Sequence, residues 1–141
     1  MTVIAWAGKT MAADRKNTYG NTARQTTKIH RIGNALVGYS GDAYIGNEVI
    51  AWLRDGADQR REDLHVNLLV VYDDGIIHEY GITPFPDIVE DRFVAIGSGR
   101  DFALAAMTLG RTAVQAVELA CLLDATCGLG VDALTHDDSV A

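Results

Sequence analysis

The sequence predicts an α+β fold in which antiparallel strands pack against layered helices. Short apolar runs separated by turn residues occupy the first 40 residues, and two more flank the turn at residues 73–75. Segments with helical spacing of apolar residues are grouped, one after residue 42 and two between residues 101 and 123. Clustered strands and clustered helices indicate antiparallel sheet, because a parallel sheet requires alternating strands and helices.

The chain is expected to form a single domain, residues 1–141, ending in an acidic tail that frays from about residue 136. The predicted strands of the first half pair as two hairpins, 3–7 with 10–13 and 28–32 with 35–40. Asp42 is the predicted N-cap of a helix that continues to about residue 54.

The second half begins with a polar, loop-like segment at residues 57–63. Its apolar runs predict these strands: 66–72, 76–80, 93–96 and 131–134. Its helical spacing predicts two helices, 101–109 and 112–123, separated by Gly110. The candidate core of the second helix includes Val117 and Leu122.

Composition excludes several classes of partner. The net charge of −7 and the scattered basic residues argue against nucleic acid and against anionic membranes. No apolar stretch is long enough to span a bilayer and no secretory signal is evident, so a cytoplasmic protein is expected. The two cysteines do not suggest a disulfide framework, and the histidines lack metal-ligand spacing. Neither a metal site nor a cofactor is expected.

Thr2 is the first candidate for chemistry. Removal of Met1 would leave a free α-amine beside the Thr2 hydroxyl, so one residue would supply both nucleophile and base. Asp14 and Lys28 lie at the ends of two neighbouring predicted strands, where they could converge on Thr2. The alternative is structural, with Thr2 starting a strand, Asp14 capping a turn and Lys28 facing water.

Five segments occur in the order and at the places of motifs in a known family. They are MAADRKNT (11–18), TTKIHRI (26–32), LVGYSGDA (36–43), AIGSGRDFALAAM (95–107) and DATCGLGVD (124–132). Together with Thr2, they resemble the proteasome β-subunit family, which includes the HslV peptidase. Members of this family are N-terminal nucleophile (Ntn) hydrolases.

The resemblance implies a role for each matching residue. Thr2 would be the nucleophile. Lys28, held by Asp14, would lower the pKa of the Thr2 hydroxyl or amine. Gly38 would donate its N–H to the oxyanion. The remaining residues would orient the amine (Ser98, Asp124, Cys127), hold the substrate through the residue's own backbone (Thr18) and form a wall of the specificity pocket (Leu36).

The resemblance also implies a four-layer αββα sandwich, self-assembly into a homo-oligomeric ring, and hydrolysis of peptides or unfolded protein inside its chamber. An ATP-dependent unfoldase partner is a further implication. The interval 54–66 is too short for the family's second long helix, so we expect a reduced helical layer. The predicted activity is that of a threonine-type peptidase. One alternative is an inactive ring or scaffold that retains Met1, and another is a non-peptide amidase.

Overall fold

The computed structural model describes residues 2–57 and 63–136. In these ranges the strands are β1 (Ile4–Ala7), β2 (Thr10–Asp14), β3 (Lys16–Tyr19), β4 (Thr22–Gln25), β5 (Ile29–Ile32), β6 (Ala35–Ser40), β7 (Asn67–Tyr72), β8 (Ile77–Tyr80), β9 (Asp87–Val89), β10 (Val94–Ile96) and β11 (Val131–Thr135). The helices are α1 (Ala43–Arg54), α2 (Arg100–Thr108) and α3 (Ala113–Leu123).

The strands form two main antiparallel sheets and a separate hairpin. The first sheet has the order β10-β1-β2-β11, and the second has the order β5-β6-β7-β8-β9. The hairpin consists of β3 and β4, which leave the first sheet after Asp14 and return towards the second sheet at Lys28. This path brings the ends of β2 and β5 to the same side of the molecule.

Alternation along the strands creates three apolar layers. Along β1 and the residue before it, Val3 and Ala5 pack against α2 and α3, whereas Ile4 and Trp6 pack between the two sheets. Because side chains alternate across a strand, both faces of this sheet are buried.

The second sheet follows the same rule. Leu69 and Val71 pack between the sheets, whereas Leu68 and Val70 pack with Val49 of α1. The layers are therefore α2 and α3, the first sheet, the second sheet, and α1. This arrangement confirms the predicted αββα sandwich, with a single helix in one outer layer of the described residues.

Three local expectations were incomplete or wrong. The β3-β4 hairpin was missed because its strands are polar, and β4 is exposed along its whole length. Leu122 was expected in the core but is 81% exposed, because α3 buries its alanine-rich face instead. His136 was expected to fray, yet it is buried, with its ring nitrogen Nε2 2.7 Å from the Val71 carbonyl oxygen.

The rest of the predicted tail, residues 137–141, lies outside the described residues, as do residues 58–62 of the loop predicted at 57–63. Over the described ranges, no helix is long and apolar enough to cross a membrane.

Candidate active site

The candidate site lies where three strand ends meet. Thr2 lies two residues before the first residue of β1, Asp14 ends β2, and Lys28 directly precedes β5. The β1-β2 register pairs Ile4 with Ala13, which sets the start of β1 beside the end of β2. The Asp14 N–H donates to the Val3 carbonyl at 3.3 Å and extends this pairing.

Lys28 bridges the two residues predicted to act with it. Its Nζ donates to Thr2 Oγ1 at 3.2 Å, to Asp14 Oδ1 at 2.9 Å and to the Lys16 carbonyl at 2.7 Å. Thr2 is 4% exposed, Lys28 3% and Asp14 0%. A buried charge pair requires close geometry and further hydrogen bonds, and both are present here.

The Asp14 carboxylate is held by backbone donors as well as by Lys28. Oδ1 accepts the Val3 N–H at 3.1 Å, while Oδ2 accepts the N–H groups of Lys16 and Gly128 at 3.2 and 3.1 Å. Bonds from several directions restrict rotation of the carboxylate, so Asp14 fixes the position of the Lys28 ammonium group.

A second chain of hydrogen bonds reaches the Thr2 nitrogen. Thr2 N donates to Ser98 Oγ at 3.2 Å, and Ser98 Oγ donates to Asp124 Oδ2 at 2.9 Å. The Cys127 thiol lies 3.5 Å from the same carboxylate oxygen. The structure therefore brings Ser98, Asp124 and Cys127 together beside the nitrogen that would become the α-amine.

The environment sets the protonation states of the acidic groups in this second hydrogen-bond network. Hydrogen bonds from the hydroxyl and N–H of Thr126, and then from Ser98 and Cys127, hold the pKa of Asp124 well below its ordinary value. Burial, together with the charges of Asp14 and Asp124, raises the pKa of the Cys127 thiol to about 12. At neutral pH, Asp124 is thus a charged acceptor and Cys127 a neutral thiol.

No family model and no curated protein matches the sequence. Solved structures match it in fold. Thiobacillus denitrificans BPH in complex with epoxomicin is similar with a TM-score of 0.70 and 18% identity, over 94% of this chain and 96% of that chain. A second structure of T. denitrificans BPH has a TM-score of 0.67 and 17% identity, over 97% and 98% of the two chains.

The crystal structure of eukaryotic HslV from Trypanosoma brucei has a TM-score of 0.68 and 21% identity, over 95% of this chain and 98% of that chain. This chain has the HslV fold. The similarity covers nearly the whole of each chain, so both sheets and both helical layers take part in it.

Two residues that the resemblance assigned to the site, Gly38 and Leu36, do not lie where their predicted roles require. Gly38 lies inside β6, opposite Ile29 and Leu69, and an added Cβ would be 2.8 Å from Ile4 Cγ2. Close packing between the sheets therefore explains why this position is a glycine.

The Gly38 N–H is also directed away from the site. Tyr39 N donates to the Lys28 carbonyl on the β5 side, and neighbouring residues of an antiparallel strand point their N–H groups to opposite sides. The Gly38 N–H consequently faces β7. Leu36 has no exposed surface and packs between the sheets, so it cannot form a wall of an open pocket.

Thr18 keeps a position that suits its predicted role. It is an exposed residue of β3, two positions after Lys16, whose carbonyl accepts from Lys28. The hairpin therefore begins in contact with the candidate site and carries Thr18 along its flank.

The sequence reasoning missed two supporting glycines. Gly97 has a φ of +98°, and an added Cβ would overlap the Thr2 carbonyl oxygen. Gly128 donates its N–H to Asp14. The available signals were the Gly97-Ser98-Gly99 sequence after a strand and the glycines that follow Cys127.

Proposed function

We propose that this protein is a threonine-type peptidase that uses Thr2 as an N-terminal nucleophile after removal of Met1. The observation that carries the proposal is the buried contact of Lys28 Nζ with both Thr2 Oγ1 and Asp14 Oδ1. An ammonium group beside a hydroxyl favours the alkoxide character needed for attack. The HslV fold supports the same chemistry, since the T. denitrificans BPH of that fold is found in complex with epoxomicin.

The reaction begins when the Thr2 hydroxyl oxygen attacks the carbonyl carbon of the scissile peptide bond. The neutral α-amine of Thr2 accepts the hydroxyl proton, and the carbonyl π electrons move to oxygen. Collapse of this tetrahedral intermediate breaks the C–N bond, and the leaving amine takes the proton from the Thr2 ammonium. Water then attacks the Thr2 ester, and the amine again accepts a proton. Collapse of the second tetrahedral intermediate breaks the ester C–O bond, releases the acid product and returns the proton to the Thr2 oxygen.

We assign the oxyanion donor to Gly41. The Tyr39 N–H points towards β5, and alternation continued past the end of β6 would direct the Gly41 N–H to the same side. A backbone N–H at such a position can stabilise the tetrahedral oxygen. In a crystal structure with a bound peptide aldehyde, an adduct oxygen outside hydrogen-bonding distance of Gly41 N would contradict the assignment.

The substrate would bind as an extended strand along β3. In the described part of the chain, β3 pairs with β4 alone, so its other edge is available for backbone hydrogen bonds. The exposed Thr18 lies on this strand. The same peptide aldehyde complex tests this placement, because a peptide lying elsewhere would exclude it.

Assembly into a homo-oligomeric ring is part of the proposal. The adjacent Leu122 and Leu123 are 81% and 58% exposed at the end of α3, and adjoining exposed apolar side chains of this kind favour a subunit contact. Light scattering after size-exclusion chromatography tests this assembly, and a stable monomer would exclude a ring that encloses a chamber. Co-purification with an ATP-dependent unfoldase would identify the partner implied by the family.

Mass spectrometry and a peptide panel test the activity. We expect loss of Met1, hydrolysis by the processed protein, and none by Thr2→Ala. Epoxomicin should add to the peptide that begins at Thr2 and should not add in Thr2→Ala. Retained Met1 with no turnover would favour the inactive scaffold, whereas turnover of non-peptide amides alone would indicate an amidase.

A further inference from the structure

We propose that Thr126 is a positioning residue for the Thr2 amine and that it acts through Asp124 and Ser98. This inference rests on the proposed peptidase function. No motif assigned a role to Thr126, which lies on the exposed turn between α3 and β11.

Thr126 occupies one oxygen of the Asp124 carboxylate and leaves the other for Ser98. The Thr126 hydroxyl donates to Asp124 Oδ1 at 2.6 Å, and its backbone N–H donates to the same oxygen at 2.9 Å. Ser98 Oγ donates to Oδ2 at 2.9 Å. Two donors on Oδ1 fix the plane of the carboxylate, so Oδ2 stays directed at Ser98.

The protons of the two hydroxyls have definite places. Each hydroxyl has one proton to donate, and the shorter bonds direct both protons to Asp124. The Ser98 and Thr126 oxygens lie 3.3 Å apart, so they contact each other through lone pairs. The Ser98 lone pairs therefore remain available to accept from Thr2 N, which lies 3.2 Å away.

Cys127 cannot replace this function of Thr126. Its sulfur is 3.5 Å from Asp124 Oδ2, and a thiol is a weaker donor than a hydroxyl. The side-chain hydroxyl that donates to Asp124 Oδ1 is that of Thr126.

The hydroxyl can be removed without disturbing the turn. The backbone bond from Thr126 N to Asp124 Oδ1 persists with any residue other than proline, and the Thr126 side chain is exposed. Thr126→Val therefore deletes one hydrogen bond at nearly constant shape, while Thr126→Ser restores it. Thr108→Val is the matched control, because the exposed Thr108 hydroxyl donates to the Leu104 carbonyl on α2.

The experiment uses protein whose mass shows Thr2 as the first residue; methionine aminopeptidase supplies it if Met1 remains. Peptide hydrolysis and the pKa of the Thr2 amine, followed by ¹⁵N NMR, are measured for each variant. Loss of one hydrogen bond to a charged group predicts a fall in kcat of about 10-fold in Thr126→Val with KM nearly unchanged. The amine pKa should fall, because a carboxylate that can rotate no longer holds Ser98 Oγ in place as the acceptor that stabilises the ammonium form.

Thr126→Ser should restore both values, and Thr108→Val should match the wild type. In a Ser98→Ala background, Thr126→Val should have little additional effect, since the two residues act in series. Wild-type values of kcat and amine pKa in Thr126→Val would overturn the inference, as would losses that Thr126→Ser fails to restore. If the amine pKa falls in Thr126→Val as expected but the wild-type protein hydrolyses no peptide, the result would support the positioning role and reject the peptidase function.

Discussion

Replacing Lys28 with methionine is the most direct test of the buried ion pair. The substitution keeps the length of the side chain but removes the ammonium group that contacts Thr2 and Asp14. Removing one partner of a buried pair typically costs about 3–5 kcal/mol. The Asp14 carboxylate would still accept from the N–H groups of Val3, Lys16 and Gly128, so we expect the lower end of this range.

A loss of about 3 kcal/mol converts into a measurable shift in melting temperature. For 141 residues, the unfolding entropy is roughly 0.3 kcal/mol/K, which gives a fall in Tm of about 10 °C. Peptide hydrolysis should fall by at least about 100-fold, because the positive charge beside the attacking oxygen is lost. Calorimetry and a fluorogenic peptide assay measure the two effects on the same preparation.

Lys9→Met is the matched control, since Lys9 is exposed at the turn between β1 and β2. Its Tm should stay within about 2 °C of the wild type and its hydrolysis should be unchanged. A Lys28→Met protein that melts within about 3 °C of the wild type would show that the buried pair is not the expected source of stability. Retained hydrolysis in that variant would remove Lys28 from the mechanism.

Two further predictions concern the surroundings of Thr2. Gly97→Ala should abolish hydrolysis and destabilise the fold, because the new methyl group overlaps the Thr2 carbonyl. Gly110→Ala is the control. Gly110 has a similar positive φ but open space around the added methyl group, so this variant should have a lower Tm without loss of activity. If both variants lose activity equally, backbone strain rather than the overlap is responsible. The Cys127 thiol should resist iodoacetamide at pH 8 in the native protein and react in urea, because its raised pKa and burial leave little thiolate. Mass spectrometry of the labelled peptides measures this, and rapid native labelling would contradict the described environment of Asp124 and Cys127.

The order of elements and the main candidate residues were predictable because they depend on local patterns. Period-two alternation in the strands and helical spacing in the apolar segments predicted antiparallel sheet packed against helices, and the resemblance to the proteasome β-subunit family implied the four layers. Their places at strand ends allowed Thr2, Asp14 and Lys28 to converge, and the resemblance to the proteasome β-subunit family predicted that they form one site. The β3-β4 hairpin was not predictable in this way, since its residues are polar on both faces.

The sequence by itself therefore determined the layered fold and the residues able to act as nucleophile, cation and carboxylate. Tertiary structure alone decided which backbone groups and side chains support them. The direction of the Gly38 N–H depends on strand register, and a shift of one residue reverses it. The contacts of Thr126 with the Ser98 hydroxyl and of Gly128 with the Asp14 carboxylate depend on how the turn after α3 folds back onto β2 and Ser98. No local pattern contains that information, because it arises from packing between segments that are distant in the chain.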